Sequence, residues 1–128
     1  MAQNTHQNIN IDLVGRVLES ESDHFARVSL VTTQEMVTDE KGLVHGGFTF
    51  SLADYAAMAA VDDPNVVLSS AQVQFIRPVK VGDILLALAR VEKKEDRKRL
   101  VAVDVRVADK TVFKGEFVCF ITEKHVLD

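Results

Sequence analysis

The stretch "GLVHGGFTFSLADYAAMAA", residues 42–60, decides how this chain folds. From Leu52 to Ala60 it is small and apolar on nearly every side: Leu52, Ala53, Tyr55, Ala56, Ala57, Met58, Ala59 and Ala60. A surface helix carries a polar stripe, so a helix without one is expected to be wrapped by other elements. The spacing predicts a helix from about Gly47 to Val61. Asp62-Asp63-Pro64-Asn65 should stop it, because proline cannot continue a helix and pushes Asp63 toward extended geometry. Two features are foreign to a plain core helix: a single acid, Asp54, and an opening on His45-Gly46-Gly47.

Outward from the helix the chain reads as strand. Upstream, Ile11–Leu18 and Phe25–Val31 are predicted to be extended, the second alternating Ala26, Val28, Leu30 against Arg27 and Ser29, with a turn at "SESD", residues 20–23. Residues 32–45 read as a polar loop. Downstream, Ala71, Val73 and Phe75 alternate with Gln72 and Gln74, and Val101, Val103, Val105 and Val107 alternate with Ala102, Asp104 and Arg106. Ile84–Val91 and Val112–Ile121 complete four strands, joined by short polar turns at 77–83, 93–98 and 108–111. The predicted fold class is α+β, an antiparallel sheet of about six strands wrapped around one long central helix. Residues 11–128 form a single domain behind a flexible N-terminal arm, 1–10. Such a sheet leaves an open edge, and long strands such as 101–107 would invite pairing with a second copy.

Composition narrows the function. The chain has 128 residues, 47% apolar and 27% charged, as expected of a globular protein with one core. A formal charge of −4 argues against a nucleic-acid partner, though not against a local basic patch. One cysteine, Cys119, forbids an intrachain disulfide and fits a reducing compartment. The first ten residues lack an apolar signal core, and no apolar run approaches the roughly 20 residues of a membrane span. A cytoplasmic location without membrane contact is therefore expected. His6, His24, His45 and His125 show no ligand spacing, so no metal is expected.

Asp54 has Phe50, Ser51, Ala57 and Met58 at three and four residues, with no cation among them. In a buried helix that carboxylate loses hydration without local compensation, which raises its pKa and makes it a stronger base once ionised. Alternatively it faces a subunit contact or solvent, or bonds a backbone group of another element. Gly46-Gly47 leaves the first amides free of bulky side chains, and with the positive end of the helix dipole they suit an oxygen gaining negative charge. His45 could orient a carbonyl or fix the loop; the glycines could also serve only close packing. Gly46 and Asp54 are eight residues apart, roughly 12 Å along a helix. A carboxylate cannot easily reach a carbonyl held at the start of its own helix. Two helices antiparallel across a dimer would bring one subunit's Asp54 near the other's Gly46.

These residues resemble a known family. "HGGFTFSLAD" followed by "LSSAQVQFIRPVKVGD" at 68–83 is similar to hotdog-fold acyl-CoA thioesterases of the phenylacetate-degradation type, over about residues 12–122. The resemblance implies a homodimer, often paired into a homotetramer, with active sites shared between subunits. It implies that the Gly46 amide polarises the thioester carbonyl, that His45 stands beside it, and that the partner's Asp54 acts as general base or nucleophile. Many relatives carry Asn six residues before the His, where this chain has Asp39. Coenzyme A would be part of the substrate, with no separate cofactor. Arg77 and Lys80 are the first candidates for its phosphates, beside Gly47 at the helix start. The basic hairpin 93–99 is a further candidate, or else a solvated turn. Phe48, Tyr55 and Met58 could line an acyl pocket or simply pack the core, and Cys119 reads as core.

Two other functions fit the same fold. One is a non-catalytic acyl-CoA-sensing module, as in lipid-synthesis repressors; those carry a DNA-binding region ahead of the sensor and an altered acid, whereas here about ten residues precede the first strand and Asp54 is intact. The other is a hydratase or dehydratase, which usually has a Pro-Gly turn before the helix that "GLVHGG" lacks. An interaction protein that uses the fold only to dimerise is a residual case.

Overall fold

The fold is built around one 16-residue helix, α1, Gly46–Val61. The computed structural model describes residues 3–128. Six strands follow in chain order: β1 Arg16–Glu21, β2 Phe25–Val31, then after α1 β3 Val66–Phe75, β4 Ile84–Glu95, β5 Lys98–Val107 and β6 Lys110–Ile121. They form one antiparallel sheet in the order β1-β2-β4-β5-β6-β3, wrapped against α1, the hotdog arrangement expected from the sequence. No helix is long and apolar enough to cross a membrane.

The alternation read in the sequence is what buries the helix. Ala26, Val28 and Leu30 of β2, Leu85, Ala87 and Ala89 of β4, and Val101, Val103 and Val105 of β5 are all buried on the side that meets α1. Opposite them the helix presents Leu52, Ala53, Ala56, Ala57, Met58 and Ala60, also buried. Alanine keeps the helix backbone close to the sheet, and Phe113 and Phe117 of β6 fill what remains. Each fully buried Val, Leu or Phe contributes roughly 1.5–3 kcal/mol, against about 0–1 kcal/mol for an exposed ion pair. Core packing, not surface charge, therefore selects this topology.

The structure moves several boundaries. The helix begins at Gly46 rather than Gly47, and its stop comes before the proline: Asp62 adopts the left-handed conformation (φ 56°, ψ 39°) and returns its N–H to Met58 O at 2.8 Å. Ile11–Val14 is a turn, not strand. Asn10 accepts from Asp12 N through its side chain and from Leu13 and Val14 N through its carbonyl, so β1 starts only at Arg16. β1 runs on to Glu21, and the turn lies at Ser22–His24, with Asp23 at φ 61°. β3 starts earlier than its alternation suggested, at Val66. The charged hairpin is mostly ladder, with only Asp96-Arg97 between β4 and β5. Strand 101–107 lies in the middle of the sheet; the edges are β1 and β3.

Residues 3–10, read as an arm, run along the end of α1. Gln3 Nε2 donates to the Tyr55 hydroxyl (2.9 Å), and Asn4 N and Nδ2 donate to the Asp62 carboxylate (2.6 and 3.0 Å), which also accepts from Ser22 Oγ (2.6 Å). Met1 and Ala2 of that arm lie outside the described residues.

Candidate active site

The two ends of α1 are built differently. At its start, the segment 42–45 is anchored on both sides: His45 N donates to Met36 O (2.9 Å), Val44 N to Val79 O (2.8 Å) and Val81 N to Gly42 O (2.8 Å). His45 is the N-cap, and its Nδ1 accepts from Gly47 N at 2.7 Å. In a neutral ring the other nitrogen, Nε2, then carries the proton and is free to donate. Gly47 is exposed, but its amide is occupied by this cap, contrary to the expectation that both first amides are free. A Cβ at Gly47 would stand 2.7 Å from His45 Nδ1, so the cap itself requires glycine there.

Gly46 is different. Its N–H donates to no acceptor among the described residues, and as the first helical residue it has no intrahelical partner. A Cβ there would meet the Phe75 ring at 3.2 Å, so the glycine leaves room that a side chain would fill. Free N–H, helix dipole and open approach coincide at this one residue.

Two turns on, Asp54 lies half-buried on the same helix. Its Oδ1 is wholly shielded from solvent, and neither carboxylate oxygen has a hydrogen-bond partner or ion pair among the described residues. Burial pushes its pKa above the ordinary aspartate range. Asp104 also has a shielded Oδ1, but its Oδ2 is held by Arg106 at 3.0 Å. The buried thiol of Cys119 is pushed up to about 12, first by burial and then by the Asp54 charge, which makes it inert as a nucleophile.

The other expected residues separate. Arg77 and Lys80 are both exposed and lie at the Gly46 end: Phe75, two residues before Arg77, touches Gly46, and Lys80 forms a β-bridge with Leu43. Arg77 is steadied by Thr111 O, and Lys80 N by Asp83 Oδ2. The hairpin is not there. Arg99 and Lys94 pair with Asp23 (2.8 and 3.2 Å), whose N–H reaches Val61 O at the far end of α1, roughly 22 Å from Gly46. Tyr55 and Met58 are buried in the core, and Phe48 packs edge-on to His45. Asp39 accepts from Lys41 N and Leu43 N, shaping the loop ahead of His45. Sequence reasoning did not anticipate Phe75 against Gly46. In "FIRP", 75–78, it singled out Arg77 for the CoA phosphates and gave Phe75 no role of its own.

A concavity of about 1290 Å³ lies elsewhere. It is on the outer face of the sheet, among Arg27, Arg90, Asp104, Arg106, Lys114 and Glu116, and includes neither Gly46 nor Asp54. Mixed charges on the solvated side of an antiparallel sheet are ordinary.

Residues 41–114, from the end of the loop through α1, β3, β4 and β5 into the start of β6, match the family model of the thioesterase superfamily. The chain belongs to that superfamily. Among solved structures, this thioesterase-superfamily chain is similar to protein PH1136 from Pyrococcus horikoshii, at 49% identity and a TM-score of 0.98, covering 100% of this chain and 98% of that one. The PaaI protein of the phenylacetic acid degradation operon of E. coli is 25% identical with a TM-score of 0.79, covering 87% and 81%. Among curated proteins, methylthioribose-1-phosphate isomerase from Aquifex aeolicus is 48% identical over 113 residues, 88% of this chain and 25% of that protein. Transcription factor FapR from Caldanaerobacter subterraneus is 29% identical over 119 residues, 93% of this chain and 60% of FapR. The chain thus spans between a quarter and three fifths of the length of these curated relatives.

Proposed function

We propose that the protein is a homodimeric acyl-CoA thioesterase, cleaving an acyl- or aryl-CoA to the free acid and CoA. The observation that carries this reading is a half-buried, unpartnered carboxylate, Asp54, with one oxygen wholly shielded, on the same helix as an unpartnered amide, Gly46 N–H. The amide receives the thioester carbonyl oxygen. Asp54 of the other subunit takes a proton from water as its oxygen adds to the carbonyl carbon. The C–S bond then breaks and the proton passes to the departing thiolate. Direct attack by Asp54 followed by hydrolysis of the anhydride gives the same products. One oxyanion donor supplies about 10²–10³ in rate and a positioned base roughly 10²–10⁴, enough for an already reactive thioester. His45 Nε2 is a further donor beside the amide, and Arg77 and Lys80 are the cations for the CoA phosphates. A second level of assembly, two dimers stacked as a tetramer, and a cytoplasmic location belong to the same reading.

The test is thiol release from short, long and aryl acyl-CoAs by wild type and Asp54→Asn. Hydrolysis by wild type with a loss of about 10²–10⁴ in kcat/KM in the variant supports the reading; equal rates remove Asp54 from it. A non-catalytic acyl-CoA-binding module is the second reading, favoured by the likeness to a protein named as a transcription factor. Binding of acyl-CoA by both proteins with turnover by neither would select it.

A further inference from the structure

Phe75 is an odd residue for a sheet edge. It ends β3, one of the two open edges, and the residue is 57% exposed although it faces the helix side of the sheet. Its ring is fixed from behind: Phe113, its direct partner on β6, is fully buried and meets it edge-to-face at 5.1 Å and 76°. Behind Phe113 stand Phe117 and Phe50, at 6.4 and 6.5 Å. In front, the ring comes so close to Gly46 that a Cβ there would lie 3.2 Å from Cε2, 3.6 Å from Cδ2 and 3.7 Å from Cζ. The ring cannot retreat inward, because a close-packed interior leaves no space to receive it.

We propose that Phe75 is a specificity-determining residue that admits acyl groups unbranched at the carbon next to the carbonyl and rejects those branched there. This rests on the reading that Gly46 N–H receives the thioester carbonyl. An oxygen held about 3 Å from that nitrogen puts the carbonyl carbon, and the atoms bonded to it, alongside the Phe75 ring. The sulfur continues toward CoA on one side and the acyl α-carbon lies on the other. A methylene at the α-carbon can pass the ring; an added methyl meets it, with Phe113 preventing withdrawal. Carbons further along the chain are past the ring, so chain length is not what Phe75 reads. The chemical class is therefore thioesters with a methylene at the α-carbon, as opposed to α-branched ones.

The experiment compares butyryl-CoA with isobutyryl-CoA, isomers that differ in whether the fourth carbon extends the chain or branches at the α-carbon. Both kcat/KM in the wild-type background and the dissociation constant in the Asp54→Asn background are measured, for Phe75, Phe75→Leu and Phe75→Ala. A single methyl in a shaped pocket discriminates by about 10–200-fold. The expected result is a butyryl preference of at least tenfold with Phe75, falling to within about threefold in Phe75→Ala, with Phe75→Leu between them. The affinity for free CoA should stay unchanged. If no protein hydrolyses either ester but the binding preference follows residue 75, the hydrolytic reading fails and the selector stands. A preference absent in wild type, or one that survives in both variants, overturns the selector. So does loss of dimerisation with an unchanged ratio, since Phe75 would then be a subunit contact only. Phe75→Leu keeps most of the packing on Phe113, so the comparison holds even if Phe75→Ala fails to fold.

Discussion

Asp54 and Gly46 can be argued one atom at a time. The sequence showed an acid with no cation within a helical turn and two bare glycines at a helix start; the structure separates the two glycines. Gly47 must be glycine because His45 caps its amide at 2.7 Å, whereas Gly46 keeps its N–H free. No pattern in "HGG" distinguishes them, since the difference lies in a rotamer of His45. The Asp54 environment was legible because desolvation follows from the apolar neighbours alone, and the shift is indeed upward. Its sign fixes a stability prediction. The unfolded chain releases the Asp54 proton at the ordinary value of about 3.9, while the folded protein retains it to higher pH. Between these two pKa values the native state holds more protons, so stability falls as pH rises through that window and then levels. Asp54→Asn should therefore melt at a higher temperature than wild type at pH 7, with the advantage vanishing by about pH 3.5. Melting curves of the two proteins across that range would show it. A difference independent of pH would mean that the carboxylate is not the source. The same ionisation should give kcat/KM an acid limb above the usual aspartate range.

At the scale of elements, the helix was read to within one residue because its composition leaves no other role. β2 was read with its exact bounds, Phe25–Val31, whereas β3 to β6 were read too short because periodicity marks only the part of a ladder that lies over a core. Beyond Val91 the β4–β5 pair continues through Lys93, Lys94 and Glu95 with no apolar alternation to reveal it. Ile11–Val14 erred in the other direction, apolar in composition yet held as a turn by Asn10. The join between β3 and β6 was also hidden, because it is a pairing across some forty residues of sequence. It depends on Gly115, which lies opposite Val73. A Cβ at Gly115 would stand 2.6 Å from Val73 Cγ1 and 2.8 Å from the Gln72 carbonyl oxygen, and backbone cannot move aside as a side-chain tip can. Gly115→Ala should therefore cost about 1–3 kcal/mol by overpacking and push β3 outward. Denaturant unfolding at fixed protein concentration measures the cost. A neutral result would show that the β3 edge yields freely.

For the whole molecule, the sequence foresaw an open sheet but assigned the exposed strand wrongly. Two-residue turns at Asp96-Arg97 and Ala108-Asp109 force β5 between its neighbours, so strand 101–107 has both sides occupied. β3 is left as an edge, with Ser69, Ser70, Ala71 and Gln72 all exposed. An edge of ten residues, bare on both faces at its middle, leaves a ladder unpaired, and in the proposed dimer pairing there would extend the sheet across a two-fold axis. The distance along α1 makes that assembly a requirement of the proposed chemistry. Gly46 and Asp54 stand about 12 Å apart on one helix, too far for one bound carbonyl to meet both from the same chain. Co-expression of two inactive variants decides the point. Gly46→Val fills the amide site against Phe75, and Asp54→Asn removes the base. In a mixed dimer with shared sites, one site receives both damaged residues and the other receives neither. With random pairing, half the dimers are mixed and each has one intact site of two, so about a quarter of wild-type activity should return. Sites contained within one chain would return nothing above the separate variants, because every chain in the mixture carries one lesion. Recovery near that quarter, absent when the purified homodimers are mixed without subunit exchange, would show that the acid and the amide of each site come from different chains.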